Sequence, residues 1–204
     1  DSKGTLSIDI NSLYRENKIE VDSLSDDQLG ERLIPIFTDS EDRLWLRNNH
    51  KVVIYSSKTK KIHKSIKLSD GIFSTVYGVY ETDDSYWLTT RSNGIISLDK
   101  SSFNINNKQP RNDLQNGIIT STLGDGNSIW YSDEVGVHQI LLPSMREETT
   151  IPNFELEYNS MGEGAVLAAS NNSIYFGGNK GFNRITKSSY KGDVTPSATL
   201  PPQL

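Results

Sequence analysis

Four aromatic-anchored segments at a near-constant interval, short strand-forming runs closed by Asp, Asn, Ser and Gly, and no sustained helical period predict an all-β chain of β-propeller blades. The segments are DRLWLRNNHKVVIY, DSYWLTTRSNGIISL, NSIWYSDEVGVHQI and NSIYFGGNKGFNRI. Their anchors, Trp45, Trp87, Trp130 and Tyr175, stand 42, 43 and 45 residues apart. Gly94 follows its Trp by seven residues, Gly136 and Gly181 follow their anchors by six, and Lys51 takes that place in the first copy. An interval of this size fits a unit of four short antiparallel strands, which cannot bury both faces alone and stacks on its neighbours. The anchor then recurs because each blade needs one large side chain to fill the space against the next.

The elements follow in order. Residues 1–25 read as a partial blade: DSKGTLSIDINSLY resembles the tail of a unit, with Gly4 where Gly181 stands in the last copy. Fuller blades are expected over about 26–68, 69–108, 109–152 and 153–190. Each is led by a β-prone run: RLIPIFTD, STVYGVYETD, IITSTLGDG or AVLAASNN. The anchor strand, a polar gap and a third strand such as KVVIY or GIISL come next. A fourth, polar strand fits KIHKSIKL, and SMREET is long enough for one helical turn. Residues 191–204 read as a Pro-rich linker. About four full blades plus a partial one are expected to be an arc of a larger propeller, although closure of a small ring by residues 1–14 is a second possibility.

Composition narrows the function classes. The length of 204 residues is a prior for one domain or two, and 34% hydrophobic residues is low for one core. Nine Tyr, six Phe and three Trp offset that, because each aromatic buries a large area. A formal charge of −5, with 26 acidic and 21 basic residues intermixed, argues against general nucleic-acid binding. Cysteine is absent, so disulfides and thiolate metal sites are excluded. No apolar run reaches the roughly 18 residues of a membrane span. The chain starts at Asp1 without a signal-like apolar region, as expected of a mature or excised segment.

The repeats resemble the two-component regulator propeller repeats of bacterial sensor proteins. DSYWLTTRSNGIISLD fits that pattern best, NSIYFGGNKGFNRI resembles the variant usual in its last repeat, and TPSATLPPQL resembles the entry to the β-sandwich that typically follows. Lys51 in place of Gly, and WYSD in the third copy, depart from the pattern. The resemblance implies a periplasmic sensor segment of an inner-membrane receptor whose output is a histidine kinase, often a hybrid one, or a diguanylate cyclase. It also implies contacts with further blades and a β-sandwich of the same receptor, a homodimer, and membrane attachment only through segments outside these residues.

Catalytic and metal chemistry finds little support. His50, His63 and His138 lack metal-ligand spacing and are expected to be ordinary surface histidines. No Ser-centred elbow is present. GGNKG lacks the context of a phosphate loop and reads as a hairpin turn, and GDGN at 124–127 reads as a β-turn without the Glu that completes a calcium loop. Carboxylate pairs fall mostly at turns. This segment is therefore expected not to be an enzyme, and no cofactor or metal is expected. KTKKIHKSIK falls where an outer strand belongs, and its lysines would block edge-to-edge pairing.

Propellers bind at a rim where loops of successive blades converge. The loops RNNHK, TRSNG, SDEVG and GGNKG, with the blade entries LSDGIFS, RNDLQNG and SMGEG, would build it. Arg47, Asn49, Arg91, Asn93, Asp133, Glu134 and Lys180 vary between units, as expected if the scaffold repeats and loops carry function. Arginine with asparagine suits a small molecule such as a saccharide or a carboxylic acid. Two rival functions are a scaffold for dimer or partner contacts and, with less support, a propeller glycoside hydrolase or lyase.

Overall fold

A computed structural model describes residues 4–8, 21–25, 33–49, 51–67, 75–91, 94–109, 118–158, 161–169 and 172–187. The fold is all-β and built of propeller blades, in two units, residues 1–75 and 76–204. The first unit holds a two-stranded antiparallel ribbon, β1 (Gly4–Ile8) and β2 (Val21–Ser25), and one four-stranded blade. That blade runs β3 (Ile34–Thr38), β4 (Arg43–Arg47), β5 (Lys51–Ser56) and β6 (Lys61–Lys67), paired in chain order. The lysine-rich run forms β6, the outer strand, with its side chains mostly exposed.

The second unit holds three more blades. One comprises β7 (Val76–Glu81), β8 (Ser85–Thr90), β9 (Ile95–Asp99) and β10 (Ile105–Gln109). The next comprises β11 (Ser121–Asp125), β12 (Ser128–Ser132), β13 (Gly136–Leu141) and β14 (Arg146–Pro152). The last has three strands among the described residues, β15 (Met161–Ala169), β16 (Ser173–Gly178) and β17 (Gly181–Thr186). The first strands of these blades stand side by side, with β11 against both β7 and β15. SMREET forms a tight turn running into β14 rather than a helical turn, because Arg146 to Pro152 complete the ladder with β13.

The strand register explains the repeat. Trp45 pairs across the strands with Phe37, Trp87 with Tyr80, Trp130 with Leu123 and Tyr175 with Leu167. Two residues beyond each partner lies a turn position held by Asp39, Thr82, Asp125 or Ala169. An indole is apolar except for its N–H, which needs an acceptor when buried. In the first blade Asp39 Oδ2 accepts from Trp45 Nε1 at 2.9 Å, and in the second Thr82 Oγ1 accepts from Trp87 Nε1 at 3.3 Å. In the third, Asp125 pairs with Lys187 Nζ at 2.7 Å, and Trp130 Nε1 is buried without a hydrogen-bond partner among the described residues. In the fourth, the anchor is Tyr175, which carries no indole N–H, and Ala169 offers no acceptor.

Asp39 does more than cap an indole. Its Oδ1 accepts from the backbone N–H of Glu41 and Arg43, and its Oδ2 accepts from Arg43 Nε at 2.8 Å. Burial alone pushes this carboxyl up. The Trp45 N–H, the Arg43 N–H and the Arg43 guanidinium outweigh burial and hold it below its ordinary 3.8.

Apolar packing lies within the blade in the first unit, where Leu33, Leu46, Val53 and Tyr55 cluster, and joins neighbouring blades in the second. In the second unit, Trp87 and Ile95 of one blade meet Ile129, Tyr131 and Ile140 of the next. Trp130, Val137 and Ile151 in turn meet Ile174, Phe176 and Ile185. Where β7 and β11 approach, a side chain is not tolerated: a Cβ on Gly124 would lie 1.8 Å from the Tyr80 ring. That ring is tied down by its hydroxyl, which donates to the Gly126 carbonyl at 2.7 Å.

Overpacking at this joint costs about 3 kcal/mol. Gly124→Ala is therefore expected to lower the unfolding midpoint in urea, and Tyr80→Ala added to it should return much of the loss. Equal and additive losses from the two changes would show that the ring and the glycine do not oppose each other.

Candidate functional site

The loops joining second to third strands lie at one end of each blade. They begin where the ladder hydrogen bonds stop, so their side chains are not bound by strand alternation. In the first unit, Arg47 closes β4 and is half-buried, and Asn49 in the loop is exposed. The Asn49 Oδ1 accepts from the Thr75 hydroxyl at 3.1 Å. His50 and Asn93 lie outside the described residues, as do residues 191–204.

In the second unit, the β8–β9 loop and the start of β11 are hydrogen-bonded to the neighbouring blade. The Arg91 carbonyl accepts from the Ile119 N–H at 2.9 Å, and the Thr120 carbonyl accepts from Gly164 N–H at 2.9 Å. The Ser121 hydroxyl donates to the Gly162 carbonyl at 2.7 Å. These bonds fix the base of the β8–β9 loop and join β11 to β15, and the side chains of Arg91, Glu134 and Lys180 are exposed. Gly94 adopts φ 71°, the left-handed conformation that ends the β8–β9 loop. GGNKG is the tight turn between β16 and β17, with Gly178 opposite Gly181.

Asp133 behaves differently from the other loop residues. It is 3% exposed, and its Oδ1 accepts from the N–H groups of Val135 and Gly136 at 2.8 and 3.1 Å. His138 Nε2 stands 3.1 Å from the same oxygen. His138 is itself 1% exposed, not a surface residue as its spacing suggested. Tyr131, its cross-strand partner, stacks on the imidazole at 4.9 Å between centroids and 14° between planes. On the other side, His138 Nδ1 faces Glu147 Oε1 at 3.1 Å and Thr150 Oγ1 at 3.2 Å, and Thr150 also donates to Glu147. Burial pushes the Asp133 carboxyl up, but the His138 hydrogen bond and charge, with the Val135 and Gly136 N–H groups, bring it below 3.8. Asp133 thus shapes the loop that displays Glu134 and Val135. The signal for this was the spacing Asp133–x–x–Gly136–x–His138, which folds the imidazole back onto the loop.

Beside this loop, the chain leaving β14 makes a 3-10 turn, Asn153–Glu155. The Asn153 N–H donates to the Val135 carbonyl at 2.8 Å and its side-chain amide donates to the Glu134 carbonyl. This turn holds Phe154 86% exposed next to the rim loop. Phe154 escaped the sequence reading because PNFE carries no repeat signal.

The anchors Trp45, Trp87 and Trp130 are 0%, 5% and 2% exposed, inside the blades rather than at the rim. Tyr175 departs from them. It is half-buried, stands edge-on to Phe182 at 5.6 Å, and with Leu167 and Val166 lines an open groove of about 460 Å³. Leu167, Tyr175 and Phe182 occupy the register positions of Leu123, Trp130 and Val137 one blade earlier, where the next blade covers them. Among the described residues, no helix is long and apolar enough to cross a membrane.

No protein-family model and no curated protein matches this sequence. Solved structures do. The extracellular domain of a protein named as a hybrid two-component system from B. thetaiotaomicron superposes with a TM-score of 0.63 at 16% identity, over 87% of this chain and 25% of that one. A second such domain from the same organism, named as a one-component system, gives 0.62 at 15% identity over 81% and 23%. A catalytically inactive virginiamycin B lyase from Staphylococcus aureus, solved with quinupristin, gives 0.63 at 20% identity over 91% and 61%. The chain spans about a quarter of the length of the two signalling ectodomains. At these identities the shared property is the propeller fold, the same fold that the repeat resemblance implied.

The buried Asp133 network has a pH signature. A depressed carboxyl stabilises the fold above its ordinary value of 3.8, and that contribution disappears as pH falls through the lowered folded value. Asp133→Asn is expected to cost about 2 kcal/mol at neutral pH, with the gap to the parent protein closing in urea melts run progressively below pH 3.8. A gap of constant size down to acid would contradict the assignment.

Proposed function

We propose that this chain is the ligand-sensing propeller segment of a bacterial membrane-bound signalling receptor, displayed outside the cytoplasm. The output would be a histidine kinase or a diguanylate cyclase carried elsewhere in the polypeptide. The observation that carries this reading is the fold shared with extracellular domains of signalling systems, together with the resemblance of the repeats to sensor propellers. The rim loops supply the recognition: Arg91, Glu134 and Lys180 stand exposed at the ends of successive blades, with Phe154 beside them. Arg47, Asn49 and Asn93 complete the proposed set, and Asp133 serves it by holding a loop in shape. Cationic and amide side chains with one exposed aromatic suit a saccharide or a small carboxylic acid, through directional hydrogen bonds and ring stacking. Binding would alter blade packing and so bias a receptor dimer across the membrane.

The groove at Leu167, Tyr175 and Phe182 favours a second reading, in which the segment is a non-sensing scaffold for dimer or partner contacts. The lyase match supports no catalytic role here, since it is 20% identical and carries the fold alone.

Thermal-shift screening of the intact ectodomain against saccharides and small acids separates the two. Sensing predicts a saturable rise in melting temperature that disappears in the Arg91→Ala, Lys180→Ala double variant. A screen without any shift, alongside a stable dimer of the same ectodomain, would overturn sensing in favour of the scaffold.

A further inference from the structure

The third blade breaks a rule that the first two obey. Trp45 and Trp87 each give their indole N–H to the residue two positions beyond the cross-strand partner. Trp130 is 2% exposed, its Nε1 has no hydrogen-bond partner among the described residues, and its acceptor position is filled by a carboxylate, Asp125. That carboxylate is held instead by Lys187 Nζ at 2.7 Å, from the end of the fourth blade. The pull comes from the lysine. Its register counterpart in the second blade is Lys100, whose backbone N–H bonds the Asp84 carbonyl as that of Lys187 bonds the Asn172 carbonyl. Lys100 turns to Glu81 of its own blade, at 2.7 Å. Lys187 has no such neighbour, because Ala168 stands where Glu81 does, and it reaches across to the preceding blade.

We propose that Asp125 is a two-position carboxylate, paired with Lys187 when the third and fourth blades are closed together and turned onto Trp130 Nε1 when that contact opens. Two acceptor-hungry donors compete for one anion. The arrangement with Lys187 staples two blades but leaves a buried indole N–H unsatisfied, a recognised penalty. The other arrangement satisfies the indole, as Asp39 does in the first blade, and releases the staple. The side chains of Asp125 and Lys187 are 31% and 21% exposed, so salt reaches their pair while the indole stays shielded. The joint lies at the turn that also receives the Tyr80 hydroxyl on Gly126, so three blades meet there. A motion of the fourth blade would therefore be read at the Trp130 anchor, whatever the rim binds.

The test is the indole N–H resonance of Trp130 in the ¹⁵N-labelled protein, assigned by its loss in Trp130→Phe. Lys187→Met keeps the stem and removes the charge. In that variant the resonance is expected to move downfield toward that of Trp45 and its exchange with solvent to slow. Asp125→Ala added to Lys187→Met should abolish the shift. If Lys187→Met fails to fold, a sodium chloride titration of the parent protein is expected to move the same resonance in the same direction. A Trp130 signal unmoved by both the substitution and salt, or already at the Trp45 position in the parent protein, would overturn the proposal.

Discussion

The whole arrangement depends on how each blade disposes of one large aromatic side chain. A blade of four short strands has two faces, and neither is covered within the blade. The anchor fills the gap against the next sheet, and its polar edge has to be satisfied at the turn just beyond. Replacing a buried Trp by Ala costs about 3–5 kcal/mol, whereas an exposed ion pair contributes about 1 kcal/mol or less. The anchors therefore set the blade geometry, and surface pairs such as Lys58 with Asp42 only decorate it. The turn residues follow the anchors: Asp39 and Thr82 accept from Trp45 and Trp87, and Ala169 accompanies Tyr175.

Once the anchors hold the sheets, the loop ends are free to differ. Arg91, Glu134 and Lys180 occupy comparable loops yet differ in charge sign or shape, which is what a repeated scaffold permits. The backbones of the first two loops are nonetheless fixed, through Arg91 to Ile119 and through the Asp133 carboxylate to Val135 and Gly136. Fixed bases with variable tips are a sound design for recognition, because less conformational freedom is lost on binding.

Much of this was legible in the residues. The interval between anchors, the turn residues and the lysine-rich outer strand all translate directly into β4, β8, β12, β16 and β6. Four features were not legible, each for a physical reason. Tyr175 shares the register of the Trp anchors, but burial depends on the blade that covers it, and no register reports that. Asp133 looked like a rim carboxylate, and only the fold shows the His138 ring turned back beneath it. His138 looked exposed because it follows the polar gap of its blade, whereas the fold stacks it on Tyr131 and encloses its ring nitrogens with Asp133, Thr150 and Glu147. Phe154 carried no signal at all, since its exposure follows from the Asn153 contacts with the adjacent loop.

The claim on which the rest turns is that Trp45, Trp87 and Trp130 are blade filler and not a binding surface. Acrylamide quenching of tryptophan fluorescence tests it directly, because these are the three tryptophans of the chain. The account predicts blue-shifted emission and quenching far weaker in the native protein than in urea. Native quenching as strong as that of the unfolded chain would place the indoles in solvent and contradict it.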